Sequence, residues 1–453
     1  MSLNQTSEKT FALVADDLTG ANDTGIQFLK WGLRTLVLID LEIGPEPVNR
    51  ADVLVLNTDS RFLEPEQAYA QTKQMALVLK NLGTSRVYKK IDSTLRGNVG
   101  AEIDALMEVF PYRVCFLTPA FPVYDRTVRD GSLYLKGVPI HRTKIALDPA
   151  FRGKSSFIPD LLKLQTRRRI EVIPLETLRG GVEALLRTLN RLAGEGVQIF
   201  VLDALVQSDL KIAAQAIAKV SFPALICGSA GLAVEIPEAF HLEVKGGSGG
   251  KQGHGEVGET GERRDDPRSP TPLPTSVVGI CGSRSVVTRE QVSYAAKSLQ
   301  IPVLEAAPDK VLEDRQREEE IRGLAASAAS FLSQGRDILV GVAASGSAEK
   351  LSQDEFVRNS RKIADALGIL AVELLRTGKV SGLFLTGGDI ALSVCEAIKA
   401  QGIYLLDEVL PGIPLGQLMG GEYPGLKVIT KAGAFGHPEA IAQCIRHLKK
   451  IAV

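Results

Sequence analysis

The sequence predicts an α/β protein of two domains, each a mostly parallel sheet flanked by helices. Three observations lead there. Short apolar runs alternate with longer amphipathic segments along nearly the whole chain. Hydrophobic residues make up 45% of its 453 residues and charged residues 23%, enough to fill large cores. One composition break, at 246–274, divides the chain into two such alternating halves.

In the first half the runs at 11–15, 35–39, 53–56 and 114–117 are rich in Val, Leu and Ile. Continuous apolar runs of this length suit strands covered on both faces. Between them, 65–82 reads as an amphipathic helix with Pro65 in its first turn. In the second half, 276–281, 338–342 and 382–385 are the strand candidates, and 288–299, 317–333 and 390–400 the helices. Strand–helix alternation favours parallel sheets joined by crossovers. The segment 246–274 holds eight Gly by Gly261 and four Pro from Pro267. So little apolar surface cannot offset the entropy of ordering, and a flexible linker is expected. The expected division is therefore 1–245, a linker at 246–274, and 275–453.

Composition also excludes. Lys plus Arg and Asp plus Glu are both 53, so the formal charge is zero, which argues against nucleic-acid or membrane-surface binding driven by bulk positive charge. Five cysteines, Cys115, Cys227, Cys281, Cys395 and Cys444, lie far apart with no CxxC pair, as suits buried thiols in a reducing compartment. No run of 18 apolar residues offers a membrane span, and the polar first ten residues lack the apolar core of a secretory signal. A soluble cytoplasmic enzyme with a small-molecule substrate is the expectation, and a homodimer stays open.

Chemistry-bearing residues gather just after the apolar runs. In open α/β sheets, ligands bind beyond the carboxyl ends of the strands. The first cluster, Asp16 and Asp17 followed by Leu-Thr-Gly, ends one strand and starts a helix. Adjacent carboxylates point in different directions, so one is expected to face the site and the other to cap the helix. The second, Asn57-Thr-Asp-Ser-Arg61, offers a guanidinium that can fork onto a substrate carboxylate. The third, Lys89-Lys-Ile-Asp-Ser-Thr-Leu-Arg-Gly-Asn98, mixes cations, hydroxyls and Gly before a helix near Val99, a pattern that favours an anionic ligand. A fourth, Pro119-Ala-Phe-Pro-Val-Tyr-Asp-Arg126, reads as a shaped loop wall; His141 beyond it reads as structural.

The second half offers glycine turns instead: Gly282-Ser-Arg-Ser285, Ala344-Ser-Gly-Ser347, Thr386-Gly-Gly-Asp389, Gly420-Gly-Glu422 and Lys431-Ala-Gly-Ala-Phe-Gly436. Such turns let backbone N–H groups approach phosphates. Asp389 or Glu422 is placed to hold Mg²⁺ through water, since that ion takes few carboxylates. No Walker loop, GxGxxG fingerprint, protein-kinase set, GxSxG elbow or structural metal motif occurs.

Together, Ala15-Asp-Asp-Leu-Thr-Gly-Ala-Asn-Asp-Thr-Gly25, Lys90-Ile-Asp-Ser-Thr-Leu-Arg-Gly-Asn98, Pro119-Ala-Phe-Pro122, Cys227-Gly-Ser-Ala-Gly-Leu232 and the turns at 282–285, 386–388 and 431–436 resemble the four-carbon acid sugar kinase family of 3-oxo-tetronate, D-threonate and D-erythronate kinases. The resemblance implies an acid-sugar-binding N-terminal domain, a nucleotide-binding C-terminal domain, and ATP-dependent phosphorylation of a terminal (C4) hydroxyl. By position it implies that Asp16, Arg61, Lys90, Asp92, Ser93, Thr94 and Arg96 hold the substrate. It likewise implies that Ser283, Ser285, Gly387, Gly388, Asp389 and Gly433 hold ATP. Asp17, with Asp16 as the alternative, is expected to orient or deprotonate the attacking hydroxyl, Lys90 to stabilise the transferring phosphoryl, and Mg²⁺ to bridge the ATP phosphates. Two further readings are a nucleotide-independent enzyme on the same acid and a two-domain sensor that closes on it.

Overall fold

The computed structural model describes residues 11–41, 43–242, 276–282, 285–343, 353–433 and 435–451. The expected linker, Ser283 and the turn at 344–347 lie outside the described residues. The N-terminal unit is built on β1 (Phe11–Ala15), β2 (Thr35–Leu38), β3 (Val53–Asn57), β4 (Arg86–Lys90) and β5 (Val114–Thr118). After a small antiparallel sheet of β6 (Arg126–Arg129), β7 (Ser132–Leu135) and β8 (Val138–Pro139) come β9 (Ile170–Ile173), β10 (Ile199–Leu202) and β11 (Ala224–Gly228). The C-terminal unit carries β12 (Ser276–Cys281), β13 (Val303–Ala306), β14 (Ile338–Val342), β15 (Val380–Thr386), β16 (Gly402–Leu410), β17 (Ile413–Met419) and β18 (Lys427–Lys431).

The strand expectations fall within these elements except that 35–39 ends one residue earlier, at Leu38, and the residues are buried throughout β1, β2, β3 and β5, as runs covered on both faces should be. The helix expected at 65–82 runs Pro65–Asn81 with Pro65 at its first position. Those expected at 288–299, 317–333 and 390–400 run Val286–Leu299, Asp314–Ser333 and Gly388–Ala397. All three begin two or three residues before the expected start, the last two because helix starts are polar or glycine, and the last ends at Ala397 rather than 400.

The two halves differ from the expectation in one respect: they share a sheet. Fifteen strands run in the order β13-β14-β12-β15-β18-β17-β16-β2-β3-β1-β4-β11-β5-β10-β9. The hairpin β16–β17 pairs antiparallel with β18 on one side and with β2 on the other, joining two parallel blocks. Pro411 and Gly412, the latter at φ 70°, make its turn. The buried Asn22 side chain donates to Thr430 Oγ1 at 2.9 Å, and Tyr124 stacks on Phe435 with ring centroids 4.5 Å apart, so the units also meet face to face. The stretch read as a loop wall runs from Phe121 into the β6–β8 meander, whose turns use Asp130, Gly131, Lys136 and Gly137 at positive φ.

Register places the site. β1 pairs parallel with β3 and β4, with Ala15 opposite Asn57 and Lys90. The residues just past these strands, 16–17, 58–61 and 91–96, therefore emerge side by side. In the C-terminal block Cys281 lies opposite Thr386, and Thr386 opposite Lys431, which gathers Gly282, 387–389 and 432–433 likewise.

Candidate active site

Both groups open onto a single cleft of about 400 Å³ between the units. From the N-terminal unit it is lined by Asp17, Arg61, Lys90, Asp92, Ser93, Thr94 and Arg96. From the C-terminal unit come Ser285, Gly387, Gly388, Asp389 and Gly433. Of the described residues expected to hold substrate or ATP or to act in catalysis, Asp16 alone stays behind the wall.

The two adjacent aspartates divide their work differently from the expectation. Asp17 does both jobs: it lines the cleft and caps helix Leu18–Leu29, its Oδ1 accepting from the Gly20 N–H at 2.9 Å. Its Oδ2 accepts from Thr19 at 2.8 Å and from Arg61 Nη1 at 2.6 Å. Asp16 is buried and takes the Arg61 fork, Nε at 2.8 Å and Nη2 at 3.0 Å. Burial works to raise the Asp17 pKa, but Arg61 and then Lys90 pull it below the ordinary carboxylate value, so the group is ionised at neutral pH.

Arg61 is thus committed to carboxylates of its own chain rather than held open for a ligand. Arg96 is committed in the same way. It forks onto Asp92 with both contacts at 2.9 Å and reaches Asp148 at 3.0 Å. The Thr94 hydroxyl also donates to Asp92. Asp92 is driven well below the ordinary range because Arg96 more than offsets its burial. Ser93 lines the cleft with no hydrogen-bond partner for its hydroxyl among the described residues.

Strand alternation separates the two lysines. Lys89 turns away from the cleft into a fully buried pair with Glu102 at 3.0 Å. Lys90 turns inward, 3.7 Å from Asp23. Burial would lower the Lys90 pKa, but Asp23, Asp17 and Asp16 together raise it. Asp23 was quoted within the first motif yet carried no assigned role; it lines the cleft, and burial lifts its pKa to about 6 despite Lys90. Asp59 was missed for a similar reason. Burial lifts its pKa to about 7, against the Arg361 partner at 3.1 Å. A carboxylate in a strand-end turn gives no local sign of burial by a distant domain. His141 bonds Ser156 at 2.7 Å outside the cleft, a structural role.

On the opposite wall, helix Gly388–Ala397 points its N-terminus at Asp17. A Cβ on Gly388 would sit 3.0 Å from Asp17 Oδ2, tight enough to push on a carboxylate already held by Thr19 and Arg61. Gly387, at φ 107°, makes the turn into the helix. The backbone oxygens of 432, 433 and 435–437 are taken up by side chains of the same unit. Lys431 donates to Ala432 at 2.9 Å, Gly433 at 3.4 Å and Phe435 at 3.1 Å. Gln291 donates to Phe435, Gly436 and His437, and Thr288 to Gly433 at 2.8 Å. Helix N-termini and such loops suit anions, phosphates above all. Glu422 is paired with Lys399 at 3.3 Å and is not part of the cleft, which removes it as a Mg²⁺ ligand there.

Comparison with known proteins agrees with this division. A sugar-binding N-terminal domain model matches residues 11–236, and a nucleotide-binding C-terminal domain model matches 278–441. The chain is 33% identical to a D-threonate kinase of Salmonella typhimurium strain LT2, over 97% of this chain and 98% of that one. This chain belongs to the four-carbon acid sugar kinase family. Other members it resembles are a D-erythronate kinase of Heliobacterium modesticaldum, 29% identical with 96% of each chain covered, and a 3-oxo-tetronate kinase of Salmonella typhimurium, 26% identical with 94% and 96% covered. Among solved structures, a Salmonella typhimurium LT2 protein superposes with a TM-score of 0.75 at 25% identity, over 96% of this chain and 99% of that one. No described helix of this family member is long and apolar enough to cross a membrane.

Proposed function

We propose that the chain is an ATP-dependent kinase that phosphorylates the terminal (C4) hydroxyl of a four-carbon acid sugar: threonate, erythronate or 3-oxo-tetronate. The observation that carries this reading is the cleft itself. A wall of hydroxyls and fixed charges from the sugar-binding unit faces a glycine-lined helix N-terminus from the nucleotide-binding unit, with Asp17 beside Gly388 between them. Phosphoryl transfer needs an acceptor hydroxyl in line with a phosphate and little other covalent chemistry.

In this reading Asp17 orients the acceptor hydroxyl. Three donors occupy its oxygens, and a carboxylate has about four acceptor positions, so one on Oδ1 stays free for a substrate O–H. Asp16 and Arg61 hold Asp17 in place. Lys90 faces the developing charge on the phosphoryl group, and Ser93 receives a substrate hydroxyl. Ser285, Gly388 and Gly433 take the ATP phosphates through backbone N–H groups and a hydroxyl, and Gly387, whose own N–H donates to the Lys431 carbonyl, shapes the turn that presents them. Among the described residues no three His, Cys, Asp or Glu side chains form a metal cage. Mg²⁺ needs only one or two carboxylates beside the phosphates, and Asp389 is the one that fits: half-buried in the cleft wall, its pKa raised by desolvation and by the Asp17 charge. When bound, the ion would neutralise phosphate charge. The five cysteines, all buried and free, support a cytoplasmic setting.

The test is ADP release with Mg-ATP across D- and L-threonate, D- and L-erythronate and the 3-oxo-tetronates. Release with one of these acids, and little with the rest, is expected. Silence across the panel, with no thermal protection by ATP, refutes the reading.

A further inference from the structure

Four cationic side chains line the cleft, and three are already matched by carboxylates of the chain. Arg61 is forked on Asp16, Arg96 on Asp92, and Lys90 faces Asp23. Arg126 is the exception. It opens β6 directly after Asp125, which sits in the left-handed region at φ 58°. Its Nη1 donates to the backbone oxygen of Tyr124, while its Nε is buried with no partner. No carboxylate pairs with it among the described residues. Burial lowers the pKa of all three arginines; in Arg61 and Arg96 the paired carboxylates more than reverse this, and in Arg126 they do not. A guanidinium cannot shed its proton to escape. Half-buried, with its Nε fully buried and no counter-ion, it is uncompensated until an anion arrives.

We propose that Arg126 anchors the carboxylate of the acid-sugar substrate, an inference that rests on the kinase reading above. The charged groups that act on Arg126, Asp92, Asp125 and Arg96, all belong to the sugar-binding unit, which places the anion it awaits at that end of the cleft rather than among the nucleotide phosphates. A planar fork on a carboxylate also supplies orientation. With the acid end fixed at Arg126, the far hydroxyl of a four-carbon chain is the one left to reach Asp17.

The test combines calorimetric binding of D-threonate and D-erythronate with steady-state ADP release, for wild type, Arg126→Met, Arg126→Lys and the exposed control Arg129→Met. The neutral tetritols, threitol and erythritol, serve as carboxylate-free analogues. Arg126→Met should weaken acid binding and raise the acid KM by about 10- to 100-fold, the worth of a charge-assisted hydrogen-bonded pair. Its KM for ATP should stay unchanged, and its preference for acid over tetritol should collapse. Arg126→Lys should recover part of the loss, and Arg129→Met should match wild type. Unchanged acid affinity in Arg126→Met overturns the anchor alone. So does a rise confined to the ATP KM, which would assign Arg126 to phosphate. A wild type that neither binds nor phosphorylates any of the acids overturns the substrate reading and the anchor with it.

Discussion

Asp23→Asn should make this protein more stable at pH 8 and leave its stability nearly unchanged at pH 4. Asp23 lies on helix Leu18–Leu29, buried, with Lys90 Nζ 3.7 Å away and the Thr24 hydroxyl donating to it at 2.9 Å. Burial lifts its pKa from 3.8 to about 6, and that value already contains the attraction of Lys90. A group whose folded pKa exceeds its unfolded pKa binds protons more tightly when folded. Folding stability therefore falls as pH rises from about 4 through about 6, and the loss is complete above that window. The rise in pKa corresponds to about 3 kcal/mol. Because the group is buried, solvent screening removes little of it. Asparagine is the neutral isostere of the protonated acid, so it carries no such slope. Thermal unfolding of both proteins from pH 4 to pH 8 is the assay: the variant should melt several degrees higher at pH 8, with the gap closing below about pH 5. Parallel pH profiles, or a variant less stable at pH 8, would refute the argument that the cleft holds an ionised Asp23 at a cost. The same variant should lose turnover, since a native cost of this kind persists where the charge serves the reaction.

Asp17→Asn should lower kcat by about 10²- to 10⁴-fold, the usual effect of losing a positioned acceptor for the reacting proton, with the acid KM little changed in steady-state ADP release. Lys431→Met removes the cation that gathers three loop carbonyls, so the ATP KM should rise by about tenfold or more while acid binding by calorimetry is retained. Chelation of divalent cations should abolish ADP release but leave acid binding intact; turnover in excess chelator would remove Asp389 from its assigned role.

What the sequence made legible was set by local chemistry. Apolar runs such as 11–15 and 53–56 are strands because only a doubly covered strand buries a continuous run of that length. The motifs after them emerge together because parallel register aligns strand ends, a rule that needs no knowledge of the partner strand. The join between the halves was not legible: nothing in 402–419 says that β16 will pair with β2, nearly 370 residues earlier in the chain, rather than end the sheet. The roles of the arginines were hidden for a related reason. Arg61 and Arg96 look like ligand clamps in isolation, and only the fold shows each already forked on an aspartate. Arg126, in a stretch read as a wall, carried no signal, because being unpaired is a property of the surroundings.

The charge balance of the cleft bears on how its ligands enter. Six carboxylates line it, Asp17, Asp23, Asp59, Asp92, Asp148 and Asp389, against four cations, Arg61, Lys90, Arg96 and Arg126. Asp16 behind the wall takes part of the Arg61 charge as well. A cleft so lined repels a sugar acid and a polyphosphate arriving together, unless positive charge comes with them or is concentrated at particular points. Two such points exist: Arg126 at the proposed acid end, and the helix N-terminus at Gly388 with Gly433 across the cleft from it, the carbonyls around Gly433 being tied back onto Lys431, Gln291 and Thr288. Between them stand Asp17 and Asp389, and the Asp17 charge adds to burial in raising the Asp389 pKa, so a phosphate placed there meets carboxylate charge. For the proposed kinase, that arrangement would favour a nucleotide that brings its own cation over bare ATP, and the paired arginines would then be part of the frame, fixing the aspartates so that the charge introduced with the nucleotide completes the site.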